Sequence, residues 1–502
     1  MSLLAAARID WSAGQPRSLD YNDIYSSTDG INEVHRVLLQ PVGISASQGV
    51  SQLTVAELGF GTGLNLAVLI DQALASNTRL HFISFDAHPL HQRDFERIAA
   101  KRMPGLPCYG ELLTRYPPLI PGWHRRTLAG GRITCSLFWG DVLAGLDDLS
   151  GRLTQRVDAW FLDGFTPDRN PAMWTQDVFN RLPALSAQTA TVSTFTSVGR
   201  VRRGLQSVGF NMRRVDQQPI KLHSLAGELH QKADRPVLPA HVNVIGAGIS
   251  GASVAGQLAR QGVSVSVFDQ ADHIAAGASG ISVSVLHGRL QNDDTVAAAV
   301  RAHGYLFAAD FTNQLMDDLP SGVLQLAPPD QQQRLRAIGE RYQGSGDWIE
   351  LVEPAAQGRW SSTGPGLKFR HGRALNLREL SRRLLDHPNI ELRLGERISA
   401  LPPGETVLAC AVDCQTFAAA RHLEIAPVHG QIDRLLLDDP PPLPIVGDGY
   451  VVPDGSSTVV GATYEYRPWS EEAATQKNLE QLESGRKYQW QNRERATRCV
   501  SS

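Results

Sequence analysis

The sequence predicts an α/β protein built from two nucleotide-binding units in series. Three observations carry this. A short apolar strand at Val242–Ile245 breaks into Gly246-Ala247-Gly248-Ile249-Ser250-Gly251, then a helical pattern Ala252–Gln261 and a second strand Val263–Phe268 ending on Asp269. An earlier strand, Leu53–Leu58, runs into Gly59-Phe60-Gly61-Thr62-Gly63, a helix Leu64–Ala75 and a strand Leu80–Phe85 ending on Asp86. At 502 residues the chain exceeds what one core holds and fits two or three domains.

Composition narrows the class. The chain is 42% hydrophobic and 20% charged, as in globular proteins, and no apolar run approaches the ~20 residues of a membrane span. Met1–Trp11 carries Arg8 and Asp10 and lacks the basic start and apolar core of a signal peptide. The five cysteines, Cys108, Cys135, Cys410, Cys414 and Cys499, make no disulfide framework and suit a reducing cytoplasm. Cys410 and Cys414 lack a second pair at ligand spacing, so no metal site is expected. The net charge of −3 does not announce a nucleic-acid binder, although it leaves room for a local basic face.

In the first half, Leu19–Leu39 is a polar-aromatic lead-in (DYNDIYSSTDG) followed by a helix Ile31–Leu39. The first glycine turn, preceded by Glu57, has the pattern of the S-adenosylmethionine loop of class I methyltransferases. Gly59, Gly61 and Gly63 let the backbone approach the cofactor, and Asp86 suits its two ribose hydroxyls. Leu90–Lys101 reads as a helix and Met103–Gly131 as Pro-rich loop. A third strand, Ile133–Trp139, ends before Asp141, which either receives the adenine amino group or caps the next helix. The apolar strand Val157–Leu162 fits a buried parallel position and delivers Asp163-Gly164-Phe165 to the carboxyl edge of the sheet, where ligands of open α/β sheets bind. There Asp163 is placed to orient or deprotonate an amine, and Phe165 to face a cationic centre; the alternative is a capping Asp and a packed Phe. A helix Pro171–Leu182, a strand Thr189–Phe195 and a helix Val198–Ser207 follow. Arg200, Arg202, Arg203, Arg213 and Arg214 are candidates for phosphate contact or a solvated face.

ELGFGTGLN, HFISFD, VDAWFLDGFTPDRNPAMWTQDVFN and TFTSVGRVRRGLQSVGF, between about Tyr21 and about Phe210, resemble the N-terminal half of the MnmC family of bifunctional tRNA 5-methylaminomethyl-2-thiouridine biosynthesis proteins. The resemblance implies a Rossmann-like class I methyltransferase domain over 1–232. It would use S-adenosylmethionine to methylate the amine of 5-aminomethyl-uridine at the tRNA wobble position. Asn211–Leu225 departs from the family's Gly-Lys-Arg-rich segment.

Gln231–His241, polar and holding Pro236 and Pro239, reads as a boundary, with a linker over 233–241. In the glycine turn after it, Gly246 makes the tight turn, Gly248 lets the backbone approach a pyrophosphate and Gly251 lets helix pack on strand. The helix N-terminus favours the phosphates. Asp269 stands about 20 residues on, where a carboxylate holds a ribose hydroxyl. Ala275–Gly280, including Ser279 and Gly280, is a second small-residue loop allowing close backbone approach. Helices are expected at Ala297–Leu315, Leu335–Tyr342 and Leu375–Leu385. Strands are expected at Ile390–Leu394, Thr406–Ala409, Val428–Ile432, Gly449–Pro453 and Val459–Tyr464.

This half, through VIGAGISGASVAGQLARQGVSVSVFD, GASG, PVHGQI and GATYEY, resembles the family's C-terminal part. The resemblance implies an FAD-binding Rossmann domain of the D-amino-acid-oxidase type with a substrate-binding β-sheet subdomain, over 242–502. In the family that part removes the carboxymethyl group from 5-carboxymethylaminomethyl-uridine. A hydride leaves the carbon beside nitrogen, the imine hydrolyses, and the free amine passes to methylation. Three features depart: Ile281-Ser282-Val283-Ser284 after the Ala-Ser-Gly loop, Ala409-Cys410-Ala411 where a glycine is usual, and an end at Ser502 before the family's final strand, glycine turn and helix. They lead us to expect a marginal second domain.

The leading expectation is a two-domain enzyme of tRNA wobble-uridine modification. Two alternatives stand beside it: a second half that is a non-catalytic module, and a pair of halves acting on a small amine without nucleic acid.

Overall fold

A computed structural model describes residues 4–44, 51–151, 156–218, 223–231, 238–316, 318–353, 364–466, 470–483 and 497–498. Contacts divide the chain into two units, Met1–Val237 with Gly344–Gly346, and Leu238–Gln343 with Asp347–Ser502. Of the expected linker, residues 233–237 lie outside the described residues, and His241 already begins a strand.

The first unit is built on an eight-stranded sheet. Its strands are β1 (Gln52–Leu58), β2 (Arg79–Asp86), β3 (Gly122–Leu128), β4 (Ile133–Trp139), β5 (Val157–Leu162), β6 (Ser186–Thr194), β7 (Asn211–Asp216) and β8 (His223–His230). The order is β7-β8-β6-β5-β1-β2-β4-β3. Strands β4, β2, β1, β5 and β6 run parallel, while β3 and β8 pair antiparallel to their neighbours. The near-continuous apolar runs of β1, β2 and β5 follow from burial on both faces. Val55, Phe82, Ala159 and Phe161 enter one core, whereas Ala56, Ile83, Trp160 and Leu162 enter the other. The first core is covered by α1 (Leu64–Ala75) and by α2 (Gln92–Arg102), whose Phe95, Ile98 and Ala99 share a face at helical spacing. After α3 (Tyr109–Thr114), the second core is covered by α4 (Val142–Ser150), α5 (Gln176–Leu185) and α6 (Gly199–Ser207). The direction of the chain reverses at β1, with β2 on one side and β5 on the other, and this switch point is where an open sheet opens a ligand crevice.

Three expectations change here. The segment Met103–Gly131 is not all loop: it holds α3 and the edge strand β3, whose inward positions His124, Arg126 and Leu128 hide the apolar alternation. Arg126 tolerates burial because its Nε donates to the Arg115 carbonyl at 2.9 Å. The helix expected at Pro171 begins at Gln176, where the Thr175 hydroxyl accepts from the Val178 N–H, and Pro171–Trp174 forms a separate 3₁₀ turn. The helix at Ile31–Leu39 starts one residue earlier and is π-wound from Val34 to Leu39.

The second unit opens with β9 (His241–Ile245), α7 (Ile249–Arg260) and β10 (Ser264–Asp269). Then come α8 (Val296–Leu315), β11 (Val323–Leu326), α9 (Gln332–Tyr342), β12 (Ile349–Val352), β13 (Gly366–Phe369), α10 (Leu377–Leu385), β14 (Ile390–Leu394) and β15 (Glu405–Leu408). The unit continues with β16 (Ile432–Leu436), β17 (Ile445–Val446), β18 (Tyr450–Asp454), β19 (Ser457–Gly461) and α11 (Glu471–Glu483). Strands β14-β10-β9-β15 form a parallel sheet around the glycine turn, with Val242, Val244, Val265 and Val267 in a core shared with Leu380 and Leu384 of α10. A second, mixed sheet has the order β12-β13-β11-β17-β18-β19-β16, with Thr497–Arg498 beside β16. The strand expected at Val428–Ile432 begins only at Ile432.

Candidate functional sites

In the first unit a cavity of about 370 Å³ opens beyond the carboxyl ends of β1, β2 and β5. It is lined by Gly59, Gly61, Asn65, Asp86, Asp163 and Phe165, and by Tyr21 and Tyr25 of the lead-in. Thus the strand ends bring together acids that are far apart in sequence. Asp86, half-buried, accepts the Gly61 N–H on Oδ2 and the His88 N–H on Oδ1, both at 2.9 Å. Burial raises its carboxyl above the ordinary value, against the two amides that lower it. Gly61 takes φ +53°, a left-handed backbone that favours glycine, and a Cβ there would approach the Tyr25 ring to 3.2 Å. Gly59 and Gly63 complete the same turn.

Glu57 is buried and does not line the cavity; it lies behind it. Its Oε1 accepts from Asn65 Nδ2 at 2.5 Å and its Oε2 from Ser84 Oγ at 3.0 Å. The same Asn65 nitrogen donates to Asp163 Oδ2 at 2.7 Å. Burial, and then the Asp163 charge, hold the Glu57 carboxyl well above the usual range.

The Phe165 ring stacks on Tyr21 with centroids 4.7 Å apart and meets Tyr25 edge-on at 5.1 Å. Asp23, between those tyrosines, accepts the Thr166 N–H at 2.9 Å and the Thr166 hydroxyl at 2.6 Å. The lead-in therefore forms a wall of the site and is stapled to the loop that carries Asp163. Sequence reasoning missed Tyr21, Asp23, Tyr25 and Asn65. The aromatic string DYNDIY and an asparagine directly after the glycine turn were the signals available.

Asp141 is exposed and stands outside this cavity; its Oδ1 accepts the Ala144 N–H at 3.1 Å and caps α4. Arg200, Arg203, Arg213 and Arg214 are all exposed; Arg200 pairs with Asp168 at 2.9 Å and Arg213 donates to the Pro41 carbonyl at 2.5 Å.

The second unit repeats the acid-to-turn arrangement. Asp269 accepts the Ala247 N–H on Oδ2 at 2.7 Å and the Ala271 N–H on Oδ1 at 3.0 Å. Gly246 takes φ +112°, and a Cβ would lie 2.4 Å from the Ala409 carbonyl oxygen. At Gly251 a Cβ would lie 1.8 Å from the Gly246 oxygen, and at Gly248 it would meet Ser279 Oγ at 3.2 Å. That hydroxyl oxygen accepts the Ile249 N–H at 3.0 Å in the first turn of α7. Gly280 closes the 3₁₀ turn Ala278–Gly280. This is a backbone cradle at a helix N-terminus, with donors and a carboxylate suited to a nucleoside diphosphate. A larger cavity, about 1010 Å³, is lined by Ala278, Ile281, Ser284, His287, Tyr450 and Thr463 among others. Burial pushes the His287 imidazole down to about 4. The loop Ala409-Cys410-Ala411 is accommodated with Ala411 at φ +51°, and the free thiols of Cys410 and Cys414 lie 3.5 Å apart.

The two sites define a methyltransferase joined to an oxidoreductase. An S-adenosyl-L-methionine-dependent methyltransferase family matches residues 107–230, and an FAD dependent oxidoreductase family matches residues 241–501. The chain is 34% identical to the tRNA 5-methylaminomethyl-2-thiouridine biosynthesis bifunctional protein MnmC of Marinobacter nauticus, over 95% of this chain and 82% of that one. It is 33% identical to the protein of the same name from Methylobacillus flagellatus, over 91% and 76%. A crystal structure of MNMC2 from Aquifex aeolicus matches 47% of this chain and 73% of its own, at 21% identity and a TM-score of 0.35. The chain belongs to the MnmC family of bifunctional proteins. It is an enzyme with two cofactors, S-adenosylmethionine and FAD. No helix among the described residues is long and apolar enough to cross a membrane.

Proposed function

We propose that the second unit removes the carboxymethyl group from 5-carboxymethylaminomethyl-(2-thio)uridine at the wobble position of tRNA. The first unit then N-methylates the resulting 5-aminomethyl-(2-thio)uridine to 5-methylaminomethyl-(2-thio)uridine. The observation that carries the reading is the convergence of Asp86, Asp163 and the Tyr21–Tyr25–Phe165 wall on one cavity. The relatives' names point to the same modified nucleoside.

S-adenosylmethionine supplies a sulfonium methyl when bound, and FAD supplies a hydride acceptor. The chain's own residues do the rest. Asp86 receives the donor's ribose hydroxyls, and Gly59, Gly61 and Gly63 bring backbone against the donor, with Glu57 supporting the turn from behind. Phe165 and the two tyrosines present aromatic faces to a cationic centre. Asp163 orients the acceptor amine and takes its proton, since only the neutral amine has a lone pair to give. Asp141 keeps its capping role, and no adenine contact is assigned to it. In the second unit Gly246, Gly248, Gly251, Asp269, Ser279 and Gly280 hold the adenosine diphosphate end of FAD. The four free thiols among the described residues support a cytoplasmic setting.

Nucleoside mass spectrometry tests the sequence of reactions on tRNA carrying the carboxymethylaminomethyl group. The free amine should appear without S-adenosylmethionine and the methylamine with it. If the carboxymethyl substrate is untouched while aminomethyl tRNA is methylated, the second unit is not a working oxidoreductase.

A further inference from the structure

We propose that Asn65 is a positioning residue for methyl transfer: its side-chain amide holds Asp163 against the buried Glu57 and so fixes the proton acceptor. The inference rests on the reading of Asp163 given above. Asn65 is 5% exposed in the first turn of α1, directly after the glycine turn. Its Nδ2 carries two hydrogens, and the acceptors at 2.5 and 2.7 Å use both.

The residue type follows from the task. Two carboxyl groups at neighbouring strand ends each favour the other's protonation. Glu57 is the more buried, and burial together with the Asp163 charge raises its carboxyl well above the usual range. Asp163 lines the cavity, where its carboxylate is placed to accept a proton. A lysine or arginine at position 65 would lower both groups and weaken the base. An aspartate would add a third carboxyl group and could not donate when ionised. A neutral double donor aligns Asp163 with little loss of basicity. In the reaction the protonated amine would give one proton to the Asp163 carboxylate, and its freed lone pair would then bond the methyl carbon as the donor's sulfur–carbon bond breaks, leaving a neutral thioether. The methylated amine carries the positive charge away.

The test uses the full-length protein and tRNA bearing 5-aminomethyl-uridine, with kcat and KM for methyl transfer followed against pH. Asn65→Ala is expected to lower kcat at least roughly tenfold, within the range open to a misplaced general base. The acidic limb of the profile should move to higher pH, because the ionised Asp163 has lost a hydrogen-bond donor. S-adenosylmethionine binding by calorimetry should stay within about threefold of the parent. Asn65→Asp, nearly isosteric, should be impaired at least as much as Asn65→Ala. A volume-filling role predicts the opposite order, so a near-normal Asn65→Asp overturns the inference. So does loss of donor binding in the variants, which would make Asn65 a fold or donor-site residue. Asp163→Asn separates the two layers. If it methylates normally, the underlying reading of Asp163 fails. If it is inactive while both Asn65 variants keep the parental rate and limb, only the inference about Asn65 fails.

Discussion

Glu57 is where stability and function meet at the scale of a single residue. Its folded-state carboxyl is raised above the ordinary value of about 4.3, so between that value and the raised one the folded state binds the extra proton. The stability contribution is therefore full below the unfolded value and is lost as pH rises through the window above it. Glu57→Gln, isosteric with the neutral acid, should flatten this dependence and raise the melting temperature at neutral and mildly alkaline pH. Parallel pH dependences for parent and variant in calorimetry would assign the cost elsewhere. Asp163→Asn should reduce methyl transfer by about 10²–10⁴-fold, the usual contribution of a positioned base, with donor binding retained. The acids at 57, 86 and 163 were legible in the sequence because each closes an apolar run, and the ends of parallel strands converge. Asn65, Tyr21 and Tyr25 were not. Asn65 meets Asp163 across 98 positions and Asp23 meets Thr166 across 143, and no local pattern encodes a contact of that span.

The glycine turns are the elements we assign to the two cofactors. Gly246→Ala would combine a left-handed backbone with a Cβ 2.4 Å from the Ala409 carbonyl. Left-handed strain of about 1–2 kcal/mol and overpacking of about 1–3 kcal/mol add up to a turn that must move. We expect that variant to lose its flavin absorbance while methylating aminomethyl tRNA at the parental rate. Retained stoichiometric flavin would show that the turn yields more readily than its contacts indicate. The elements that were hardest to read break the periodicity rule for a reason. Strand β3 points His124 and Arg126 inward, and Arg126 pays for burial through a carbonyl rather than an apolar face. The π-wound stretch Val34–Leu39 shifts a helical pattern without changing its composition.

Across the whole molecule, the net charge of −3 leaves polyanion binding to local groups. Arg203 is exposed on α6 and Arg214 on β7. Replacing both with alanine should weaken tRNA binding regardless of anticodon and reduce the slope of log K against log salt by about one per contact. An unchanged slope would make them solvated surface. Such surface arginines also show where the sequence falls silent: their number is plain, but that Arg200 also meets Asp168 and Arg213 the Pro41 carbonyl is revealed only by the fold.

The staple between Asp23 and Thr166 has a consequence in time. Its two ends are 143 residues apart, which at about 5–20 residues per second is roughly 7–30 s of synthesis. During that interval Tyr21 and Tyr25 have been made but the Phe165 ring they rest on has not. The tyrosine side of this wall thus waits for the ring that completes it.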